Sequence, residues 1–411
     1  MEAHTRIILK SGKDQSLRRF HPWIFSGAIK KIHGPAREGD LVDVYDNKDE
    51  FLARGHFQEG SIAVRVLDFE QVETDRDFWD RRIGQAWQVR KTLGLTDSTR
   101  TTVFRWINAE GDGLPGLIVD NYAGALVIQL HSVGMYRNLE TIVESLSGYT
   151  GAKVHTIYLK SEGTLPDRPG IGQRSGFLAG DAGSGEVLEN GYRFQVDWVE
   201  GQKTGFYIDQ RENRKLLESW SAGRKVLNMF GYTGGFSVYA MGGGAEVVHT
   251  VDSSARAVDL TRKHMEINFP GNGRHEEYTE DAFNFLGKNG VRYDLIVLDP
   301  PAFAKHQQVL NNALQGYKRI NQKALEQIAP GGILFTFSCS QAVSRENFRI
   351  EYRSKTASPL CCQFGGYCKI RGQDFIGRQL LYVRQVLRFD SQLLQQKFSR
   401  SGCRFPFFHL D

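Results

Sequence analysis

From Val226 onward the chain alternates short apolar runs with amphipathic stretches, and this rhythm limits the fold more than any other feature. Residues 226–230, 247–252, 294–299 and 333–338 read as strands, and residues 255–268 and 317–328 as helices. Apolar strands alternating with helices imply an α/β fold with a parallel, doubly wound sheet. Ligands of such a sheet bind outside the carboxyl ends of its strands. The residues just after each strand are therefore the candidates for chemistry.

The first strand runs into Asn228-Met-Phe-Gly-Tyr-Thr-Gly-Gly-Phe-Ser237. Its glycines let the backbone approach a ligand, and the helix that follows offers free N–H groups to a carboxylate. A plain tight turn is the rival reading of the loop alone. Asp252 ends the second strand at the distance expected of an acid that binds ribose hydroxyls. Asp281 follows a short third strand and is placed to accept from an adenine amino group. Each aspartate alone would serve as a helix cap; three such features at successive strand ends favour a nucleotide site. No Gly-Lys-Ser/Thr is present, which excludes a phosphate-binding Walker loop.

The fourth strand ends in Asp299-Pro-Pro-Ala-Phe303. Its prolines stiffen the exit, and Phe303 offers a flat face to a base; a rigid strand exit is the bland alternative. The fifth ends in Phe335-Thr-Phe-Ser-Cys-Ser-Gln341. A strand cysteine is most often buried packing, but Cys339 sits at the strand end, beside the same crevice. A thiolate there has work to do. Carbon 5 of a pyrimidine is a poor nucleophile, and thiolate addition at carbon 6 makes it able to attack a sulfonium methyl. The target base has to leave its stack to reach such a pocket.

The N-terminal part follows another rhythm. Residues 1 to about 70 form short alternating runs with turns at Gly34-Pro35 and Gly39-Asp40, the pattern of a small β-barrel. Residues 75–93 read as a helix with Phe78, Ile83, Ala86, Val89 and Leu93 on one face. Residues 116–120 and 125–130 form a hairpin about a turn at 121–124. The Gly-, Pro-, Ser- and Asp-rich stretch 161–186 reads as an exposed loop.

The 411 residues carry a net charge of +5, which invites a nucleic-acid partner. Residues 349–411 alone hold 11 Lys/Arg and 4 Asp/Glu, so overall basicity belongs to the tail. More telling is residues 1–37, where eight Lys/Arg face only Glu2 and Asp14. All five cysteines lie at or beyond Cys339, with no Cys/His spacing for a metal, so neither a disulfide scaffold nor a metal site is expected. No apolar run approaches the roughly 20 residues of a spanning helix, and residues 1–10 lack a signal-like stretch. A cytoplasmic protein without membrane contact is expected.

At His21-Pro-Trp-Ile-Phe-Ser-Gly27, Glu110-Gly-Asp-Gly-Leu-Pro-Gly116, Lys203-Thr-Gly-Phe-Tyr-Ile-Asp-Gln-Arg211, the 228–237 loop, Asp299-Pro-Pro-Ala-Phe303 and Ser338-Cys-Ser340, the chain resembles the RlmI type of 23S ribosomal RNA 5-methylcytosine methyltransferase. The resemblance spans about residues 5–350. It implies an N-terminal PUA-type barrel (1–72), a helix plus α/β linker region with a β-hairpin (73–195), and a Rossmann-like class I methyltransferase domain (196–350). Its implied cofactor is S-adenosyl-L-methionine and its implied partner ribosomal RNA, with a homodimer as the oligomeric option. The resemblance makes Cys339 the nucleophile and puts Asp299 beside the target base. It places Phe206, Asp209, Gln210 and Arg211 along the cofactor, joined by Asn228, Phe230, Tyr232, Thr233, Gly234, Gly235, Asp252, Ser253, Asp281, Ala282, Asp299 and Pro300. RNA contacts are expected from Lys10, Lys13, Arg18, Arg19 and Trp23.

Residues 351–411 depart from the family pattern, as a divergent end or a change of reading frame would. They are expected not to complete the sheet, though residues 380–383 have strand character. Two other functions stay open. An amino-group methyltransferase would use a similar Asp-Pro-Pro loop without needing Cys339, and a non-catalytic RNA-binding or assembly factor would retain only the fold.

Overall fold

The computed structural model describes residues 4–340 apart from 169, 289, 305 and 306, together with 342–344, 347–348 and 385–388. The chain divides into two compact units, the first ending at Arg211 and the second starting at Glu212.

The first unit opens with β1 (Thr5–Leu9), β2 (Trp23–Phe25), β3 (Ile29–His33), β4 (Leu41–Tyr45), β5 (Phe51–Phe57) and β6 (Ile62–Asp68). They form one sheet in the order β2-β6-β5-β4-β1-β3, parallel only between β1 and β4. Ile7, Leu9, Val42, Val44, Val64 and Val66 recur at alternate positions and make its core. A buried charged pair joins two strands of this barrel. Arg54 grips Asp43, its cross-strand partner, through two parallel bonds of 2.7 and 3.0 Å, and both are buried. Asp43→Ala would leave the guanidinium buried without its carboxylate. We expect a loss of about 3–5 kcal/mol, read as a lower urea midpoint at unchanged slope; an unmoved midpoint would mean that water reaches Arg54.

Next come α1 (Arg76–Thr92), β7 (Val103–Asn108), β8 (Leu117–Tyr122), β9 (Ala125–Leu130), α2 (Val133–Arg137), α3 (Leu139–Gly148), β10 (Thr156–Lys160) and β11 (Ser175–Ala179). The second sheet has the order β11-β10-β9-β8-β7. The Asp75 carboxylate caps α1 by accepting the Phe78 amide at 3.0 Å. The buried face of α1 is Phe78, Trp79, Ile83, Ala86, Trp87 and Arg90, while Val89 and Leu93 are exposed, which corrects the expected face. The two tryptophans dock on the sheet, and Trp87 meets Trp106 at 4.6 Å. The β8–β9 hairpin is present with a turn of only two residues, both left-handed, Ala123 (φ 53°) and Gly124 (φ 103°). The expected 161–186 loop contains β11, an edge strand held by pairing with β10. The small hairpin of β12 (Ser184–Glu189) and β13 (Tyr192–Asp197) completes the unit before the Thr204–Arg211 segment.

The second unit runs α4 (Arg211–Glu218), β14 (Lys225–Met229), α5 (Gly235–Gly242), β15 (Val247–Asp252), α6 (Ala255–Asn268), β16 (His275–Thr279), α7 (Ala282–Lys288), β17 (Tyr293–Leu298), α8 (Leu310–Gln327), β18 (Ile328–Thr336) and β19 (Gln385–Arg388). Its sheet has the order β16-β15-β14-β17-β18-β19, parallel except for β19. This is the doubly wound sheet that the alternation of strands and helices predicts. Reversal of strand order at β14 opens a crevice at the carboxyl ends of β14 and β17. Helix α8 starts seven residues before the predicted 317. The edge of β18 is not wholly bare: residues 385–388 pair antiparallel with Ile333–Thr336. The strand expected at 380–383 and the rest of the tail lie outside the described residues.

Candidate active site

The carboxyl ends of β14, β15, β17 and β18 bring most predicted residues of the second unit to one edge of the sheet. After β14 the chain turns through Phe230 (φ 59°), Tyr232 (φ 47°) and Gly234 (φ 74°), three left-handed residues in five. Two of them are not glycine, a local cost that functional loops often carry. Gly231 is obligatory for space: a Cβ there would lie 2.4 Å from Thr250 Cγ2. At Gly234 a Cβ would lie 2.6 Å from Thr261 Cγ2, and the left-handed φ disfavours it further.

Asp252 holds this loop in shape. One carboxylate oxygen accepts the Tyr232 amide and the other the Ser254 amide, both at 2.9 Å. Each oxygen keeps a second lone pair. The loop's far side is braced by α6, where Thr261 donates to the Tyr232 carbonyl and His264 Nδ1 meets the Thr233 carbonyl at 2.7 Å. Beneath it, Asn228 Nδ2 donates to Ser237 Oγ at 2.9 Å, and Ser237 Oγ meets Thr250 Oγ1 at 2.6 Å.

A polar cofactor fits this cradle. Thr233 Oγ1 and Asn228 Oδ1 are buried without a protein partner, and a buried polar atom without a partner is costly. Helix α5 begins at Gly234 with no side chain capping its amides. Ser253 is exposed beside Asp252, and Ala282 is buried. Asp281 acts as the cap of α7, accepting the Asn284 amide at 3.0 Å. It is exposed, so one carboxylate oxygen remains available.

Asp299 and Cys339 lie on the loops after β17 and β18, and those loops are stitched together. The Phe337 amide donates to the Leu298 carbonyl at 2.9 Å, the Cys339 thiol to the Pro300 carbonyl at 3.6 Å, and the Ala304 amide to Ser340 Oγ at 3.1 Å. Asp299 and Cys339 are half-buried, whereas Pro300, Ser338 and Ser340 are buried. Cys339 thus sits half-buried on a fixed stretch of backbone. Phe303 is half-buried and rests on the Tyr317 ring at 4.6 Å.

In the first unit the 203–211 segment is anchored at both ends. Thr204 donates to the buried Asp120 carboxylate at 2.7 Å, Tyr122 Oη lies 2.8 Å from Thr204 Oγ1, and the Phe206 amide donates to Tyr122 Oη. At the other end the Arg211 guanidinium donates to the Val103 carbonyl and, at 3.3 Å, to buried Glu189. Phe206 and Gln210 are buried, and Asp209 is exposed. Asp120, Tyr122 and Thr204 escape detection from sequence, since nothing local marks a strand aspartate as the anchor of a segment 84 residues away.

The barrel's predicted RNA contacts divide. Lys10, Lys13 and Arg19 are exposed. Arg18 is committed to Asp14, Asp46 and Glu50 at 2.6, 3.1 and 2.7 Å. Trp23 is half-buried and donates its indole N–H to Glu110 at 2.8 Å, with the Arg65 guanidinium over its ring. Phe20 and Phe25, 65% and 48% exposed, are further aromatic surfaces in the same basic stretch, absent from the expected contacts. Their interleaving with lysine and arginine is the signal that could have found them.

Fold and site together define a class I methyltransferase carrying a PUA-like domain. The S-adenosylmethionine-dependent methyltransferase family model matches residues 109–362, and the PUA-like domain model matches residues 7–69. Ribosomal RNA large subunit methyltransferase I of Aliivibrio fischeri is 41% identical over 342 residues, covering 81% of this chain and 85% of its own. Its namesake in Vibrio cholerae is 40% identical, covering 84% and 87%. A solved structure from Streptococcus mutans shares the fold, with a TM-score of 0.76 at 21% identity, over 93% of this chain and 99% of its own. The chain belongs to the ribosomal RNA large subunit methyltransferase I family, and its cofactor is S-adenosylmethionine.

Proposed function

We propose that this protein methylates carbon 5 of a cytosine in large-subunit ribosomal RNA, with Cys339 as the nucleophile. The observation that carries the reading is the position of Cys339, half-buried on the loop after β18 and tied to the Asp299-Pro-Pro loop through the Pro300 carbonyl. The RNA substrate follows from the names of the relatives, and the exposed lysines and aromatics of the barrel suit it. S-adenosylmethionine, when bound, supplies an electrophilic methyl group.

The chain's part begins with the thiol. Its proton must leave the Pro300 carbonyl for solvent or a base, because the thiolate is the attacking form. The thiolate forms a C–S bond to carbon 6 of the ring and thereby puts electron density on carbon 5. After carbon 5 is methylated, a base takes its proton. The electrons of that C–H bond restore the ring double bond, and the C–S bond breaks to release the thiolate. In this reading Asp299 holds the cytosine amino group and Phe303 packs on the ring.

The direct test is methyl transfer from labelled cofactor to ribosomal RNA lacking the modification, followed by nucleoside analysis. Label in 5-methylcytidine is expected. Label in an N-methylated nucleoside would favour amino-group chemistry, and cofactor binding without transfer would favour an assembly role. RNA affinity should also fall with salt. Lys10→Glu and Lys13→Glu should each lower the log–log slope, by roughly 0.7–0.9 for every phosphate left without its cation. Slopes equal to the parent's would place the RNA footprint elsewhere.

A further inference from the structure

The loops after β17 and β18 meet on one helix, and two adjacent residues of α8 hold them there. Tyr317 is 2% exposed and bridges both loops. Its hydroxyl lies 2.8 Å from Ser340 Oγ, the atom that also accepts the Ala304 amide. Its ring carries Phe303 at 4.6 Å on one side and meets Phe348 edge-on at 5.3 Å on the other. Gly316 precedes it in the middle of the helix. A Cβ there would stand 3.0 Å from Phe303 Cδ2 and 3.3 Å from Cε2, so the missing side chain lets Phe303 lie close against α8.

Neither residue is what helix propensity and an apolar core would select for α8 by itself. Glycine in a helix interior is destabilising relative to alanine. A buried phenol needs partners for its hydroxyl, where phenylalanine would fill a core with none. Two local choices against stability, side by side and facing the same two loops, are the pattern expected where function sets the sequence. Burial also pushes the Tyr317 phenol above its usual range.

We propose that Gly316 and Tyr317 are positioning residues: a wedge on α8 that fixes Phe303 at the height of the target base and, through Ser340, fixes the loop that presents Cys339. This rests on the reading of Cys339 as nucleophile. Their part is to set the distance between the surface that receives the base and the thiol that attacks it. A displacement near 1 Å at such a place is enough to cost about 100-fold in rate.

The test uses the full chain with Gly316→Ala, Tyr317→Phe and Ser340→Ala. Three quantities are read: thermal stability, steady-state methyl transfer to ribosomal RNA, and the iodoacetamide alkylation rate of Cys339 by peptide-resolved mass spectrometry. For Gly316→Ala we expect a melting temperature close to the parent's, because the helix gain of alanine offsets its crowding of Phe303. The Phe303 ring has to give by only a few tenths of an ångström, so kcat should fall by about 3- to 10-fold while KM for S-adenosylmethionine stays put. For Tyr317→Phe and Ser340→Ala we expect a similar fall in kcat together with an altered Cys339 alkylation rate. Should Tyr317→Phe fail to fold, Gly316→Ala and Ser340→Ala decide the matter. Parental kcat in Gly316→Ala, or parental kcat and alkylation in both hydroxyl variants, overturns the wedge. Failure of the nucleophile reading looks different: Cys339→Ser would itself retain methyl transfer, and the wedge would fall with it.

Discussion

Cys339→Ser is expected to abolish methyl transfer while leaving S-adenosylmethionine affinity within a few-fold. Serine keeps the size and the hydrogen-bond donor. It can still donate to the Pro300 carbonyl that the thiol meets at 3.6 Å, so the β18 loop keeps its course. What disappears is an ionisable nucleophile: a thiol ionises near neutral pH and a serine hydroxyl does not. Removing a covalent nucleophile costs orders of magnitude in rate, because the step it divides must then pass over a single higher barrier. The cofactor cradle at the ends of β14 and β15 is built from other residues, so calorimetry with S-adenosylmethionine should give nearly the parental constant. Single-turnover transfer to ribosomal RNA is the decisive measurement. Turnover near that of the parent would remove Cys339 from the chemistry and move the reading toward amino-group methylation.

The second unit is the more legible half of the molecule, and the reason is physical. Buried parallel strands are continuous apolar runs, and the helices between them repeat at 3.6 residues; both are properties of sequence alone. β15 and α6 match their predicted bounds, and Asp252, Asp299 and Cys339 fall at strand ends for the same reason. What escapes depends on partners distant in sequence. β11 has an unremarkable glycine-containing sequence and exists because β10 offers an edge. β19 likewise takes its place from the exposed edge of β18. The face of α1 differs from expectation because Trp79 and Trp87 displace Val89 and Leu93 from the core: large aromatic surfaces gain more from burial. Arg18 and Trp23, expected as RNA contacts, also have protein partners that the sequence does not reveal: Asp14, Asp46 and Glu50 for the one and Glu110 for the other. Charge counts along a chain cannot show which charges are already neutralised in space. The start of α8 is hidden because Leu310-Asn-Asn carries no cap signal, and with it the setting of Gly316 and Tyr317.

Asp252→Ala should weaken S-adenosylmethionine binding by roughly 10- to 150-fold, the equivalent of about 1.5–3 kcal/mol for a charge-assisted bond to a hydroxyl. Two effects act in the same direction. The carboxylate at the end of β15 is the acceptor proposed for the ribose hydroxyls, and alanine offers none. The same carboxylate accepts the Tyr232 and Ser254 amides at 2.9 Å each. Without it, Tyr232 loses a restraint on its left-handed backbone (φ 47°), and the loop that cradles the cofactor is free to relax. Asp252→Asn separates the two contributions. The amide oxygen can still accept one backbone N–H, so the loop keeps part of its shape, but the charge is gone and one ribose hydroxyl loses its acceptor. Affinity should then fall by an intermediate factor with the melting temperature close to the parent's. Calorimetry on the parent and both variants, paired with thermal unfolding of each, is the measurement. If Asp252→Ala binds the cofactor as the parent does and only melts lower, Asp252 is a brace of the loop through the Tyr232 and Ser254 amides, and the ribose must be held by other groups at the carboxyl edge of the sheet.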